Sequence, residues 1–539
     1  MAATATATTV GELFLAAVAE YEHEPALRTP DDAVSWTWGE YGRQAAAAAG
    51  ALTGLGVGHG SVVACWLTNR PEFHAADIGA ALLGAASFSI YQTYTVEQAA
   101  HVLWDAGSRV LITEAAFVER ALAVRASGAT TLETIICVGE EHEGTESWEE
   151  LLRRAGDGED LHELAGGPQA DDLLTIIYTS GTTGPPKGVE LTHRNVLAQL
   201  EATSAGLGLT DRMRVISYLP MAHIAERLVT NYLPIAHGWQ VTTCADARSI
   251  VALLREVRPE VFFSPPRIWE KTRASTIARL GEDADGPTAL RALGLDEVRV
   301  AITGAAPCPA EVVEFWDRLG LALCEVYGMS ETTGVATVNP PAAVRPGTVG
   351  VALPGVELAL ADTGEVLMRG PVIMRRYRNR PGATAEAIDA DGWMHSGDVG
   401  TLDDDGYLRI VDRIKELIIS SAGKNMSSAN IEATIKTSGS LIGNVCAIGD
   451  RRPYNVALLT LDPDAANGRR ADDPEVLAEV DAQIARANAR LARVEQIKRF
   501  TVLPQDWVPD GDELTPTSKL KRRAIAAKYA NEIEGMYPA

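Results

Sequence analysis

Between Tyr178 and Gly188 the chain reads Tyr-Thr-Ser-Gly-Thr-Thr-Gly-Pro-Pro-Lys-Gly. Hydroxyls, glycines and one lysine are gathered directly after the apolar run Leu173 to Ile177. A β-branched apolar run reads as a buried strand. The loop leaving it can turn backbone N–H groups toward an anion, because glycine lacks a Cβ and tolerates close approach. Thr179, Ser180, Thr182 and Thr183 add neutral donors, Gly181 and Gly184 add freedom, and Lys187 adds a mobile positive charge. These are the parts of a polyphosphate cradle. The spacing does not fit the common G-x-x-x-x-G-K-[ST] loop, since Lys187 follows two prolines and precedes Gly188. Taken alone, the string is also compatible with a solvated turn between strands.

Four further strings could do chemistry. Ser396-Gly397-Asp398 offers a carboxylate whose two oxygens can accept from two adjacent ribose hydroxyls. Glu325 to Thr333 reads as a strand end followed by a capped helix start. Leu514 to Arg523 is a basic cluster near the C-terminus, and Leu219 to Arg227 sets His223 beside an apolar run. Each has an ordinary structural reading by itself. In chain order, together with the loop, they resemble the adenylate-forming superfamily, which includes acyl-CoA synthetases, insect-type luciferases and peptide-synthetase adenylation domains. The resemblance spans roughly residues 35 to 525.

That resemblance implies roles. Residues Thr179 to Gly184 and Lys187 would hold the phosphates of ATP. Thr303-Gly304-Ala305-Ala306 would line one side of the adenine, and Tyr327, in Tyr327-Gly328-Met329-Ser330-Glu331, would stack on the other. Gly328 and Ser330 complete that motif. Glu331 would help to hold Mg²⁺, a hard cation that prefers carboxylate oxygen. Asp398 would take the ribose, and Arg413 the ribose and phosphate region. Lys519, selected over Lys521 by the Lys-apolar-x-Arg-Arg spacing, would meet the substrate carboxylate and the α-phosphate. Lys415, two positions after Arg413, matches the family's hinge. Leu219-Pro220-Met221-Ala222-His223 followed by Glu226-Arg227 resembles the long-chain fatty acyl-CoA synthetase branch, where the histidine stands near the mouth of the acyl tunnel. Pro265 to Lys271 and the Thr515-Pro516-Thr517 form of the last motif point to the same branch. Some relatives, luciferases among them, carry a second lysine shortly after the hinge. Here that slot is Ile419, which weighs against an oxygenase and puts the second half-reaction on other groups, such as backbone near Gly423.

The elements that must position these residues alternate. Ser61 to Leu67, Ala86 to Ile90, Arg109 to Thr113 and Thr134 to Val138 read as short buried strands, and Pro71 to Leu83 reads as a helix between two of them. The expected fold is α/β: a large multi-layer N-terminal domain with mainly parallel sheets, residues 1–414, and a small mobile α+β C-terminal domain, residues 415–539. The joint is a charged break at Asp412-Arg413-Ile414-Lys415. Asp473-Pro474 starts a helix expected to reach about Val494, Arg499 to Leu503 reads as a strand, and Arg522 to Ile533 as a final helix.

Composition excludes several classes. The 539 residues are 46% hydrophobic and 22% charged, which is globular. A formal charge of −24 disfavours nucleic acid and anionic membrane as general partners. The six cysteines form no C-x-x-C pair and lie mostly in apolar runs, so buried free thiols are expected, with no zinc site. No secretory signal opens the chain, and a cytoplasmic enzyme with at most peripheral membrane contact is expected. The implied reaction is ATP-dependent ligation of a long-chain fatty acid to coenzyme A through an acyl-adenylate. Its alternatives are an acyl-AMP ligase loading a carrier protein, and a medium-chain or aryl acid–CoA ligase.

Overall fold

The computed structural model describes residues 6–156, 160–179, 185–419, 425–508, 511–515 and 519–537. Its largest element is an eight-stranded sheet. In spatial order the strands are Arg376–Tyr377, Lys187–Thr192, Leu173–Thr179, Ala86–Ser89, Val62–Trp66, Val110–Glu114, Thr134–Val138 and Glu146–Ser147. From Leu173–Thr179 onward all neighbours are parallel. Such strands are covered on both faces, so they read as continuous apolar runs. The helix Pro71–Leu82 has proline in its first turn, as the sequence predicts, and its residues from Phe73 onward are buried.

A second sheet sets Val261–Ser264, Val300–Thr303 and Leu323–Tyr327 parallel, then adds Thr337–Val338 and Val351–Ala352 antiparallel. A third joins Arg214–Ser217, Gln240–Thr243, Pro25–Arg28 and Ser35–Thr37. Parallel pairs outnumber antiparallel ones across these three sheets, and each sheet also carries an antiparallel strand. The fourth, Glu357–Leu360, Glu365–Arg369, Met394–Leu402 and Leu408–Arg413, is antiparallel throughout. Tight turns at Asp362 to Gly364 and Asp403 to Gly406 join the two outer pairs, and residues 370–393, with the strand Arg376–Tyr377 and the helix Pro381–Ala387, join the middle pair.

That sheet also corrects the charged break. Asp412 and Arg413 belong to the Leu408–Arg413 strand, with Arg413 opposite Asp398, and the turn begins only at Ile414. Beyond it lie a short hairpin, Ile418–Ile419 with Asn425–Met426, and a three-stranded sheet of Ile442–Ile448, Asn455–Leu461 and Ile497–Val502. Helices Ser428–Thr437 and Pro474–Arg490 pack on it. Asp473 caps the second through the N–H of Glu475. That helix stops at Arg490 because Leu491 turns extended and is itself buried. The predicted final helix is two, Arg522–Lys528 and Ala530–Gly535, broken at Tyr529. Buried apolar residues from Ile418 onward cluster among themselves in two groups. All six cysteines are free and buried. Among the described residues, no helix is long and apolar enough to cross a membrane.

Candidate active site

The cradle string bridges two strands of a hairpin. Thr179 ends one limb and Lys187 begins the other, paired directly opposite. Ser180, Gly181, Thr182, Thr183 and Gly184, between them, lie outside the described residues. The Lys187 ammonium sits 4.9 Å from the ring centre of Tyr377. The Tyr377 hydroxyl donates to Glu331 Oε1 at 2.6 Å. Tyr377 thus links the cradle's cation to the acidic residue of the aromatic motif, a role the sequence reading misses. Burial and the Glu331 carboxylate push its phenol up, so it stays a donor.

The adenine-lining strings leave neighbouring strand ends. Val300–Thr303 and Leu323–Tyr327 are parallel, with Thr303 opposite Glu325, and both open at their carboxyl ends. Ligands of open α/β sheets bind outside such ends. Glycine is required at both exits for space. A Cβ on Gly304 would stand 2.7 Å from Val326 Cγ2, and one on Gly328 would stand 2.3 Å from the Gly334 carbonyl oxygen. Ala305 and Ala306 are exposed, and Ala305 has φ of +66°, an uncommon left-handed position for a residue other than glycine. Ser330 opens the single helical turn Ser330–Thr332, which carries Glu331.

Asp398 is the centre of the polar geometry. It is only 5% exposed. Its Oδ2 accepts from the Tyr327 hydroxyl at 2.7 Å and its Oδ1 lies 3.2 Å from Arg413 Nε. The antiparallel register that pairs Asp398 with Arg413 makes this contact. Burial raises the Asp398 carboxyl, and Arg413 and the Tyr327 hydroxyl oppose that rise. Tyr327 is therefore held by its hydroxyl, with its ring fixed in plane.

Lys519 comes from the small C-terminal unit. Its N–H donates to Thr515 Oγ1 at 3.0 Å, its carbonyl accepts from the Thr515 N–H at 2.8 Å, and Leu514 bridges Leu520. This turn carries the Lys519 side chain to within electrostatic reach of Arg413, Asp398, Glu331 and Glu416. Desolvation by the surrounding protein and then the neighbouring Arg413 lower its ammonium pKa, while the three carboxylates oppose the fall, and the residue as a whole remains exposed. Lys521 instead donates to the Gly511 carbonyl at 2.9 Å within its own loop.

His223 faces the same point. Its Nδ1 accepts from the Ala225 N–H at 3.2 Å, capping the turn Ile224–Arg227. That bond assigns the remaining proton to Nε2. Burial, then Lys519, push its pKa down to about 4, so it is neutral at pH 7. Glu226 and Arg227, three and four positions on, turn inward. Glu226 Oε1 accepts from Ser217 Oγ, the Tyr218 N–H and Thr230 Oγ1 at 2.9, 2.9 and 3.0 Å. Arg227, fully buried, pairs with Asp77 and donates to Ser87 Oγ at 2.7 Å. Both brace the π-helical turn Leu228–Tyr232 behind His223.

Residues 14–378 match the family described as AMP-binding enzyme, and residues 415–539 match the AMP-binding enzyme C-terminal domain. The chain belongs to the AMP-binding enzyme family. Within this adenylate-forming superfamily it falls in the fatty acyl-CoA synthetase branch. The fadD11 chain of Mycobacterium tuberculosis, provisionally named a fatty-acid–CoA ligase, is 46% identical over 449 residues, covering 73% of this chain and 79% of its own. The long-chain-fatty-acid–CoA ligase FadD15 of Mycobacterium bovis is 32% identical over 595 residues, covering 98% of each. Among solved structures, a Mycobacterium tuberculosis fatty acyl CoA synthetase aligns with a TM-score of 0.70 at 26% identity, covering 97% of this chain and 99% of its own. The anthranilate CoA ligase AuaEII, solved with anthranoyl-AMP, shares the fold at a TM-score of 0.81 and 20% identity, covering 96% and 97%.

For an AMP-binding enzyme, the donor set suits a nucleotide-bridged Mg²⁺. Among the described residues no group of three or more His, Cys, Asp or Glu could cage a metal. Glu331 is a half-buried single carboxylate with one oxygen on Tyr377. One or two carboxylates plus substrate phosphates is the usual way Mg²⁺ is held.

Proposed function

We propose that this enzyme joins a long-chain fatty acid to coenzyme A in two half-reactions at one cleft. A carboxylate oxygen attacks the α-phosphorus of ATP, the bond to the β-phosphate oxygen breaks, and acyl-AMP and pyrophosphate form. The CoA thiol then loses its proton, its sulfur attacks the acyl carbonyl, and AMP leaves. The first step brings anions together, so positioning and charge neutralisation dominate it. The reading is carried by the convergence of Lys519, His223, Glu331, Asp398 and Arg413 in a chain of net charge −24.

Lys519 bridges the carboxylate and the α-phosphate. Lys187 and the cradle donors hold the leaving pyrophosphate. Neutral His223, with its proton on Nε2, offers a donor without adding charge. Asp398 and Arg413 take the ribose, Tyr327 and the Gly304–Ala306 segment hold the adenine, and Glu331 would hold Mg²⁺, which when bound neutralises phosphate charge. Residues 1–414 form the large domain and 415–539 a small domain that turns about Lys415. The separate apolar clusters beyond Ile418 and the C-terminal family match from residue 415 support that division. A cytoplasmic setting accords with six free thiols.

The test is pyrophosphate release across saturated acids of graded length, with benzoate as the aromatic control, followed by product analysis with CoA and with a phosphopantetheine carrier. Burial contributes roughly 0.8 kcal/mol per CH₂, so each carbon that still fits should raise kcat/KM by up to about fourfold, with no gain past the tunnel's end. A maximum at short acids or at benzoate would remove the long-chain assignment, and transfer to the carrier alone would remove CoA as acceptor.

A further inference from the structure

The string Pro265 to Lys271 does more than point to the long-chain branch. It opens the helix Pro266–Leu280, and its charged side chains meet the C-terminal unit. Arg267 pairs with Asp462, and Lys271 Nζ lies 2.9 Å from Asp464 Oδ2. Glu270, between them, faces Lys436, which also feels Arg267, Glu432 and Asp506. On a second large-domain helix, Ala310–Arg318, Glu311 pairs with Arg490. The sequence of charges on one helix, positive, negative, positive, is answered by negative, positive, negative.

These pairs are not equivalent. Lys271 and Asp464 are 52% and 81% exposed, and an exposed pair contributes little. The Asp462 side chain is 10% exposed and does two jobs. Its Oδ1 caps the turn Pro463–Ala466 through the N–H groups of Asp464 and Ala465 at 3.0 and 3.2 Å, while Oδ2 takes Arg267. A carboxylate clamped on one oxygen presents the other in fixed geometry, which suits a charge-assisted bond.

We propose that Arg267, acting through Asp462, is a positioning residue that latches the small domain in the orientation presenting Lys519 to His223, Glu331 and Asp398, and so favours acyl-AMP formation over thioester formation. This deepens the two-step reading and rests on it for its kinetic half. Neither Arg267 nor Asp462 belongs to the site described above, and Lys519 itself is unaltered by the loss of their contact. Only the fraction of molecules with Lys519 in place changes.

The test uses Arg267→Gln, Asp462→Asn and their double variant in the full chain. Asparagine keeps the capping oxygen and removes the charge. ATP–pyrophosphate exchange with a long-chain acid should fall about tenfold in each single variant, the size of one charge-assisted hydrogen bond. The double variant should be no worse than the poorer single, because both remove one shared contact. Thioester formation from supplied acyl-AMP should hold or rise. Equal loss in both half-reactions, or no loss in exchange, overturns the latch. An orientation readout decides independently of chemistry. Spin labels at Ala278→Cys and Ala478→Cys, both on exposed helix positions while the native thiols are buried, report the inter-domain distance. Asp462→Asn should broaden a narrow distribution, and an unchanged one overturns the latch even if no fatty acid is adenylated.

Discussion

Glu325 and Lys519 show what single side chains contribute. Glu325 sits in the middle of the strand Leu323–Tyr327, and burial pushes its carboxyl up to about 8. Its Oε1 accepts from the Cys308 N–H at 3.1 Å, tying the adenine-lining loop to the aromatic motif. A carboxyl raised above its ordinary value near 4.5 contributes full stability below that value and loses it as pH rises toward the folded value. Glu325→Gln keeps the accepting oxygen and cannot ionise. Its advantage over the parent should be absent below about pH 4.5, then grow by about 1.4 kcal/mol per pH unit to about pH 8, then level. Urea unfolding at several pH values reads this directly, and a constant difference would show that Glu325 is not held neutral. Lys519→Ala removes the cation proposed to meet both reacting anions, so acyl-AMP formation should fall about 10²- to 10³-fold. Thioester formation from supplied acyl-AMP should be much less affected. Lys521→Ala should be mild, because its ammonium serves only its own loop. If Lys521 were the more damaging, the pairing of Leu514 with Leu520 would be presenting the other lysine.

At the scale of elements, buried strands of the large sheet were readable, whereas the site-bearing strands Val300–Thr303 and Met394–Leu402 and the pairings that complete the site were not. Leu173–Thr179 and Thr134–Val138 follow from β-branched apolar runs. Asp398 and Arg413 were named from motif resemblance, but their contact depends on an antiparallel register between two strands. Tyr377 had no signal beyond an aromatic residue set among Arg375, Arg376 and Arg378. Its place comes from pairing with Val189, a contact that only the folded sheet edge provides. The Arg267–Asp462 pair is likewise distant in sequence. The close approach at Gly328 is testable here. An alanine Cβ would meet the Gly334 carbonyl oxygen at 2.3 Å and Val335 Cα at 2.8 Å, both rigid backbone. Gly328→Ala should cost about 1–3 kcal/mol and shift the turn bearing Glu331. KM for ATP should rise well beyond KM for the acid in initial-rate measurements. Equal rises would mean that the turn moves as a body with the acid pocket.

For the whole molecule, the proposed mechanism makes opposing demands, because it brings Lys519 in for the first half-reaction and withdraws it for the second. The joint lies at the turn after Arg413, whose carbonyl accepts from the N–H groups of Glu416 at 2.9 Å and Leu417 at 3.0 Å. Such a turn keeps Ile414 in helical backbone, and proline at 415 would disfavour that conformation while fixing its own φ. Lys415 is itself exposed, so its side chain contributes little to either orientation. Lys415→Ala should therefore leave both half-reactions within about twofold, a rim substitution with no lost contact. Lys415→Pro should lower both, the first because the observed turn is strained and the second because the backbone can no longer swing. Single-turnover rates for acyl-AMP formation and for thioester formation, measured separately for both variants, isolate the backbone from the side chain. A proline variant retaining the parent's rates in both steps would place the rotation elsewhere in the joint between Arg413 and Ile418.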